Sequence, residues 1–328
     1  LLGNKAESVN TEFDITNTSI YSNIIYNFSK KIIFNLGARY SNYSNSYIGK
    51  GLKGDENYNP MPIKTINESI ANQLIAAHAS ISYKFNDKLN LYTAINRGYK
   101  AGGINQNPYL DNIQRFFKPE YNLNINGGIG LLSNLYEANI HLFYMKRINQ
   151  QVGLYYQLDP DPLSFTFYTA NALDGYNAGL ETSFKLHLNN NFSFVFKSGI
   201  LKNYVNIYTD PFDESISYGN REPAHSPEYN YSVEVNYMFK NGVSLNIENT
   251  GMDEFYFDDQ AYIKSNSYSV SNFNIGYKIT NWHISIWGKN VFNQKYATRG
   301  YYFDLGIGNQ GEQAYKAYEN PIHFGVSL

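Results

Sequence analysis

The side chains that could carry out chemistry are scattered through this chain rather than grouped. The sequence has no cysteine, which excludes disulfide frameworks, cysteine-ligated zinc and thiol catalysis. No serine, histidine and aspartate group together as a nucleophilic triad would. The six histidines show no zinc-type spacing; they are His78, His141, His187, His225, His283 and His323. We therefore expect no catalytic residues, no metal ligands and no cofactor, in a protein that is not an enzyme.

Two local clusters could still bind an ion. Asp253 and Glu254, followed by Asp258 and Asp259, could offer carboxylate oxygens to calcium. Their spacing fits no calcium-loop motif and favours a solvated acidic rim. The glycine-rich residues 98–103 do not predict a phosphate loop, because no helix is expected after them. They indicate instead a strand-to-loop transition that needs free backbone angles.

Two longer segments carry aromatic, amide and arginine side chains that suit a polar ligand such as chelated iron. We predict nine substrate contacts there, although the same composition suits any exposed loop. The nine residues are Asn105, Gln106, Tyr109, Arg115, Phe116, Arg299, Tyr301, Tyr302 and Gln310.

The elements between these segments alternate apolar and polar residues with a period of two, as β-strands do. At one of them, Trp282, Ile284 and Ile286 alternate with His283 and Ser285. Long helices are not indicated, because a composition rich in asparagine and tyrosine disfavours them. We predict about 13 strands from this period. They lie near residues 15–28, 31–44, 71–85, 88–101, 117–131, 135–155, 164–187, 192–207, 227–240, 242–257, 265–279, 281–296 and 317–328.

The composition restricts the class of protein. Charged residues make up only 16% of the 328 residues, whereas roughly 25% is usual in soluble domains. A net charge of -2 argues against a nucleic-acid partner. The sequence contains no run of about 18 apolar residues, so it predicts no transmembrane helix. A β-barrel, which is apolar on one face and polar on the other, remains possible as a membrane protein.

The lengths of the connections favour that barrel. Short turns are predicted at residues 29–30, 86–87, 132–134, 188–191, 241 and 280. Longer connections alternate with them, at residues 45–70, 102–116, 208–226, 258–264 and 297–316, and the connection at 156–163 is intermediate in length. Short turns at one end and long loops at the other are typical of outer-membrane barrels. We therefore predict an all-β fold, a transmembrane antiparallel β-barrel of outer-membrane type.

An odd number of strands predicts that this barrel is incomplete. Bacterial single-chain barrels have an even number of strands. An open edge in hydrocarbon leaves unpaired amides that cost several kcal/mol each. We expect residues 1–328 to be the C-terminal portion of a larger barrel.

Several segments follow one another in a recognisable order. They are LYTAINRGYKAGGIN at 91–105, FKPE at 117–120 with GGIGL at 127–131, YNAGLE at 176–181, WGKNVFNQKY at 287–296 and NPIHFGVSL at 320–328. Together they resemble the C-terminal barrel of TonB-dependent outer-membrane receptors. Residues 287–296 are the most diagnostic, whereas Leu328 stands where that family usually ends in phenylalanine.

This resemblance implies that the chain supplies about 13 strands of a 22-stranded barrel. The family's plug domain and first strands have no counterpart here. It implies an outer-membrane active-transport receptor for a bulky scarce nutrient, such as a ferric siderophore or another iron complex. In the intact protein the plug would couple transport to the TonB–ExbB–ExbD complex. The partners would be outer-membrane lipid, the iron chelate and the barrel-assembly machinery, in the outer membrane of a Gram-negative bacterium.

Two other classes stay open from the sequence. A passive outer-membrane porin would need a self-contained, even set of strands and a constricting loop. A soluble secreted β-rich binding module would show irregular loop alternation and would dissolve without detergent.

Overall fold

The computed structural model describes residues 7–54, 60–107, 110, 112–157, 165–210, 214–303 and 313–328. Within them the chain is built of strands and one four-residue helix. In chain order the elements are β1 (Glu7–Asn27), β2 (Ile32–Gly54), β3 (Pro60–Lys84), β4 (Leu89–Lys100), β5 (Gly103–Ile104), α1 (Asn112–Arg115), β6 (Phe116–Phe117), β7 (Glu120–Leu132), β8 (Tyr136–Ile148), β9 (Gln151–Gln157), β10 (Phe165–Asn171), β11 (Asp174–Asn189), β12 (Phe192–Val205), β13 (Tyr208–Thr209), β14 (Ser217–Tyr218), β15 (Tyr229–Met238), β16 (Val243–Met252), β17 (Tyr268–Ile279), β18 (Trp282–Lys289), β19 (Ala297–Phe303), β20 (Gln313–Tyr318) and β21 (His323–Ser327).

Thirteen of these strands form one sheet, which confirms the predicted number. Their spatial order is β1-β2-β3-β4-β7-β8-β11-β12-β15-β16-β17-β18-β21. Each neighbour pairs antiparallel, as in the long β1–β2 and β2–β3 ladders. The remaining short strands form four separate pairs, β5–β6, β9–β10, β13–β14 and β19–β20. The predicted all-β class is therefore confirmed, and β1 and β21 lie at the two edges of the described sheet.

The register divides the sheet into an apolar outer face and a polar inner face, because successive side chains of a strand point to opposite sides. One row of paired residues on the outer face is apolar throughout. It runs through Ile24, Leu36, Ala79, Ile95, Ile125 and Tyr144. The adjacent row on the inner face is Asn23, Gly37, His78, Asn96, Asn124 and Met145. Outer-face residues such as Ile24 (61% exposed) and Ile125 (52%) are exposed to the surroundings.

The connections sort by length as predicted, with one correction. Short turns join β1–β2, β3–β4, β7–β8, β11–β12, β15–β16 and β17–β18. The predicted long connection at 45–70 is instead mostly strand, since β2 continues to Gly54 and β3 begins at Pro60. Inner-face Tyr47 and Ile66 pack there with Ile104 in an apolar cluster, which stabilises the extended hairpin.

Several predicted strands are also divided or shortened by residues with positive φ. The predicted strand 135–155 ends as β8 at Ile148, and Asn149 (φ 52°) turns the chain into the separate β9–β10 pair. The prediction at 164–187 also divides, into β10 and β11, at Ala172 and Leu173, although neither residue has a positive φ. The prediction at 281–296 ends at Lys289, because Asn290 has φ 48°. No helix in the described part of the chain is long and apolar enough to cross a membrane.

Candidate functional site

A layer of folded loops covers the sheet at the end where the long connections lie. We call it the loop layer, and it comprises the described residues of 101–119, 149–173, 206–228, 253–267 and 290–322. Three of its segments share an apolar core, which gives the layer a fixed structure. That core contains Leu110, Val152, Leu154, Tyr168, Ala172, Val205 and Tyr208. Burial raises the pKa of the Tyr168 and Tyr208 phenols above their usual range.

Arg115 is the buried centre of the first loop, at 4% exposure. Its Nη1 donates to the carbonyl oxygens of Asn105 at 2.8 Å and Asn107 at 2.6 Å, and Nη2 donates to that of Leu110 at 2.5 Å. One guanidinium thus binds three backbone carbonyls of this loop. Arg115 holds the loop in shape and is not open to a ligand from outside.

Asn105 connects this loop to the β9–β10 pair. Its Nδ2 donates to the carbonyls of Gln114 at 2.6 Å and Thr169 at 2.8 Å, and its Oδ1 accepts from the Thr169 amide at 2.8 Å. The side chain therefore pairs with Thr169 as a neighbouring strand would. The neighbouring Gln106 has an exposed side chain, while its carbonyl accepts from the Tyr47 hydroxyl at 2.5 Å.

The other predicted contacts are more open. Phe116 is 38% exposed at the start of β6. In the β19–β20 hairpin, Arg299 is exposed, Tyr301 is 54% exposed and Tyr302 is half-buried. Tyr109 and Gln310 lie outside the described residues. The structure thus places Asn105, Arg115 and Phe116 in one loop but presents their side chains differently, and the ligand role of all nine residues remains a prediction.

Glu120 anchors the other end of the first loop and was not predicted as a site residue. Its Oε1 accepts from Arg147 Nε at 2.7 Å and its Oε2 accepts from the Gln151 amide at 2.8 Å. Gln151 Nε2 in turn donates to the carbonyl of Ala101 at 2.8 Å. The Phe-Lys-Pro-Glu segment is therefore a junction of β7, β8 and β9. Its similarity to a family motif was the only signal in the sequence.

Gln260 was missed entirely, although it joins loops that are 105 residues apart. Its Oε1 accepts from the Tyr155 amide at 2.8 Å, and its Nε2 donates to the Tyr155 carbonyl at 3.0 Å. Nε2 also lies 3.1 Å from the Tyr218 hydroxyl. This side chain links the 253–267 loop to β9 and β14. A lone glutamine in a polar segment gives no sequence signal for such a role.

Arg221 is a second buried arginine that the sequence did not indicate. Its guanidinium lies 4.0 Å from the centre of the Tyr256 ring and 4.9 Å from that of Tyr262. Nη2 donates to the carbonyl of Asp258 at 2.9 Å. Such cation–π stacking stabilises a buried positive charge. Arg221 thereby fixes the 253–267 loop against the β13–β14 segment.

Three carboxylates of the acidic cluster form contacts that hold this loop. Asp258 Oδ1 accepts from the amides of Gln260 and Ala261 at 2.8 and 2.5 Å, and Asp259 Oδ1 accepts from that of Ala224 at 2.8 Å. Glu254 pairs with Lys264 at 3.0 Å. Among the described residues, no three acidic or histidine side chains are grouped to hold a metal ion.

The inner face below the loop layer offers polar grooves. One of 660 Å³ is lined by Arg39, His78, Asn96 and Asn124 among others. Another, of 850 Å³, lies at the short-turn end and includes His187 among its lining residues. Both linings combine hydrogen-bonding side chains with apolar surface.

The segment Gly-Lys-Asn-Val-Phe-Asn holds the last long connection to the end of the sheet. Asn290, 3% exposed, donates from Nδ2 to the carbonyls of Gln294 at 2.9 Å and Asn320 at 3.1 Å. Asn293 Oδ1 accepts from the Ile322 amide at 3.0 Å. Both asparagines have positive φ, which asparagine tolerates well. These contacts give a physical reason for the most diagnostic sequence segment.

Comparisons with known proteins agree with this architecture. A family profile described as TonB dependent receptor-like, beta-barrel matches residues 3–291. The ferric yersiniabactin uptake receptor FyuA from Yersinia pestis superposes with a TM-score of 0.78 at 18% identity, covering 98% of this chain and 46% of that one. The Ferric-Catecholate import receptor Fiu from E. coli K12 gives 0.72 at 14% identity, covering 96% and 44%. The siderophore receptor PiuA from Acinetobacter baumannii gives 0.69 at 13%, covering 96% and 43%.

At these identities the structural comparisons bear on the fold alone. The chain spans less than half the length of each of the three structures. The matched profile covers most of the chain and confirms the family resemblance predicted from the sequence.

Proposed function

The chain belongs to the TonB-dependent receptor β-barrel family, and from that premise we propose that it forms part of the wall of an outer-membrane uptake receptor. The observation that carries the proposal is a packed loop layer above a sheet with an apolar outer face and a polar inner face. The apolar face suits lipid, and the polar face suits an aqueous interior. The location would be the outer membrane of a Gram-negative bacterium.

The proposal includes the organisation of the intact protein. Residues 1–328 would be the C-terminal portion of a larger barrel, with a plug and further strands supplied outside this sequence. The thirteen-stranded sheet and the 46% share of the FyuA structure support this reading. In the intact receptor, the plug would contact TonB, and the TonB–ExbB–ExbD complex would energise transport. Insertion would depend on the barrel-assembly machinery.

The proposed ligand is a ferric siderophore or another iron complex. Three of the similar structures are described as receptors for ferric yersiniabactin, ferric catecholate and a siderophore, although another is a copper transporter. In the loop layer, the exposed Gln106, Phe116, Arg299 and Tyr301 would touch the ligand. Arg115 and Asn105 would act by positioning that loop.

Growth on defined iron sources tests this function. A strain deleted for the full-length gene would be supplied with single ferric siderophores, haem or ferric citrate, and uptake of radioactive iron would be measured. We expect one iron source to require the gene and to require TonB. Uptake that is unaffected by loss of TonB would favour a passive porin, and recovery of the protein in the soluble fraction would favour a secreted binding module.

A further inference from the structure

The larger of the two grooves described above opens at the short-turn end of the sheet. Its volume is 850 Å³, within the range of roughly 300–1,000 Å³ in which proteins bind small ligands. It extends from the ends of β11, β12, β15, β16, β17 and β18 onto the turns that join β7 to β8 and β11 to β12. We call it the short-turn groove, and its polar lining includes Asn134, His187, Asn190, Asn246, Asn274 and His283.

Part of this lining is held in place by hydrogen bonds between side chains. Asn246 Nδ2 donates to Asn236 Oδ1 at 2.8 Å and to Glu234 Oε1 at 2.9 Å. Other members are open to a partner. In the part of the chain that the structure describes, Asn274 and His283 are exposed and their side chains form no hydrogen bond. The short-turn groove therefore combines a fixed frame with unused donors and acceptors.

A glycine lets two of the polar groups converge on the floor of the groove. A Cβ on Gly276 would lie 2.7 Å from Ser244 Oγ and 2.8 Å from His283 Nε2, too close for any side chain there. Ser244 Oγ donates to the Gly276 carbonyl at 3.3 Å, so its lone pairs can still accept. The hydroxyl and the imidazole thus face one small space, which suits a group that both donates and accepts, as an acetamido group does.

Apolar side chains adjoin these polar groups. Leu135 and Met238 lie in the same lining, and the rings of Phe192 and Tyr237, which also line the groove, lie 6.4 Å apart. An N-acetylated sugar presents an amide, several hydroxyls and a methyl group within one ring unit. A mixed surface of this kind matches such a unit better than it matches a simple ion or a hydrocarbon chain.

Three lysines border the short-turn groove. Lys278 stands opposite His283 in the β17–β18 ladder. Lys185 lies two residues before His187, on the same face of β11. Lys240 is in the turn between β15 and β16. Within the described ranges, none of these lysines has a carboxylate at ion-pair distance, so the border carries positive charge that is not neutralised.

Carboxylates on the same inner face leave this border basic. Glu137 stands opposite Lys185 in the β8–β11 ladder but beyond ion-pair distance. Glu234 and Glu248 face each other farther from the turns, and both accept from asparagine side chains. The positive charge is therefore local to the rim of the groove, next to a row of amides.

The position of these lysines decides which partner can reach them. Lys185 and Lys278 lie on the inner face, so lipid around the outer face cannot contact them. In outer-membrane barrels the short turns lie on the periplasmic side. Because Asn134 and Asn190 are turn residues, the groove reaches the rim of the sheet and opens to that side. The geometry thus favours a periplasmic anion that also forms many hydrogen bonds.

We propose that the short-turn groove binds peptidoglycan, the cell-wall polymer of N-acetylated sugars and carboxylate-bearing peptides. The asparagine and histidine side chains would contact acetamido and hydroxyl groups, and the lysines would bind peptide carboxylates through charge-assisted hydrogen bonds. The inference rests on the proposed outer-membrane location, which places this end of the sheet in the periplasm. It is independent of the ligand of the loop layer, which would bind at the opposite end.

Co-sedimentation of the full-length protein with purified peptidoglycan sacculi in detergent tests the proposal, and calorimetric titration with a soluble disaccharide-peptide fragment of the same polymer gives an affinity. Two comparison probes separate the parts of that chemistry. N,N′-diacetylchitobiose has acetamido groups without charge, and phosphatidylglycerol in mixed micelles has negative charge without acetamido groups. We expect the fragment to bind about tenfold more tightly than either probe, because only the fragment uses both sets of contacts.

The contribution of charge is tested with the double substitution Lys185→Gln and Lys278→Gln. We expect about a threefold loss of affinity for each lysine removed. Lys30→Gln with Lys31→Gln is the matched control, because it removes the same charge from the β1–β2 turn, at the same end of the sheet but outside the groove. The control should bind the fragment as the unaltered protein does, and so should Lys185→Arg with Lys278→Arg.

The contribution of the polar lining is tested with Asn274→Ala and His283→Ala in one variant. We expect this variant to bind the fragment about tenfold more weakly. The matched control, Asn96→Ala with His78→Ala, removes the same two residue types from the other inner-face groove. Its affinity for the fragment should be unchanged.

Absence of the protein from the sacculus pellet would overturn the proposal. Equal losses in a test variant and its control would also do so, as would equal binding of phosphatidylglycerol and the fragment by the unaltered protein. If a variant does not fold, the selectivity of the unaltered protein among the three probes decides the matter. Failure of the proposed function is seen separately, in cells, as iron uptake that does not need TonB or as absence of the protein from the membrane fraction.

Discussion

Two loops that look alike in composition have opposite structures. The first loop contains Arg115, and the β19–β20 hairpin contains Arg299; both were predicted as ligand contacts. Arg115 is 4% exposed and donates to three backbone carbonyls, whereas Arg299 is exposed on a two-stranded hairpin. An arginine therefore stabilises the first loop from its interior, whereas in the hairpin an arginine is exposed on the surface.

The difference follows from what each backbone requires. Among the described residues from Asn105 to Arg115, no strand is formed, and the carbonyls of Asn105, Asn107 and Leu110 accept from the Arg115 side chain. In the hairpin, the β19–β20 ladder pairs Ala297 and the residues from Arg299 to Phe303 with β20. Its side chains are consequently available for other contacts. Substitutions in the first loop should act on stability, and substitutions in the hairpin on binding.

Replacing Arg115 with methionine should have the largest effect. Three buried carbonyls would lose a charged donor, and we expect the first loop to lose about 3 kcal/mol or more of local stability. Hydrogen exchange of the Asn105 and Thr169 amides in the full-length protein would report this as faster exchange. Arg299→Met is the matched control and should leave both rates unchanged. If the Asn105 and Thr169 amides exchanged equally fast in Arg115→Met and Arg299→Met, the proposed contrast between the two loops would be wrong.

Asn105→Ala should come next. It removes one donated and one accepted bond to Thr169 of the β9–β10 pair and one donated bond to Gln114 within the first loop, with an expected cost of about 2 kcal/mol. Limited proteolysis should then cut the first loop sooner than in the unaltered protein. Gln106→Ala, which truncates an exposed side chain, should not change the cleavage rate. A faster cleavage in this variant would show that the distinction between Asn105 and Gln106 is wrong.

A smaller effect is expected from Tyr47→Phe. This change removes only the hydroxyl that donates to the Gln106 carbonyl, at a cost of about 1 kcal/mol. Thermal unfolding of the full-length protein, or exchange of the loop amides, would show the loss. Tyr301→Phe removes a hydroxyl from an exposed ring in the hairpin and should show none. A larger loss for Tyr301→Phe would contradict our account.

The smallest effect on stability is expected from Tyr301→Ala, within about 0.5 kcal/mol because the side chain is largely exposed. Its effect should be on ligand binding, with about a fivefold weaker affinity for the iron complex. Fluorescence titration with the ferric chelate identified by growth would measure it. Unchanged affinity would remove Tyr301 from the proposed contacts.

The sequence predicts the sheet well because its period-two signal is local. Rows such as Ile24–Leu36–Ile95 require only that each strand alternate and that its neighbours pair in register. The errors occur where a distant partner decides the outcome. Asn290, whose positive φ ends β18, donates from its side-chain amide to the carbonyl of Asn320, 30 residues away. Likewise, β2 and β3 extend where Tyr47 and Ile66 pack with Ile104.

The loop layer was predictable only in outline for the same reason. Whether an arginine or asparagine is buried depends on carbonyls brought to it by other segments, such as Thr169 at 64 residues from Asn105. Neither Arg221 nor Gln260 carries a motif. The composition of the loops could therefore indicate a polar binding surface. It could not distinguish the buried side chains that hold the loops in place from the exposed side chains that a ligand could contact.

The pairing of Gln260 with Tyr155 has a consequence for behaviour outside the folded chain. A short strand such as β9, held in a two-stranded pair, leaves one edge on which an extended polypeptide could add and begin aggregation. The Gln260 amide occupies that edge with the same donor and acceptor that a neighbouring strand would offer. One side chain from a loop 105 residues away thus closes a potential nucleation point for self-association.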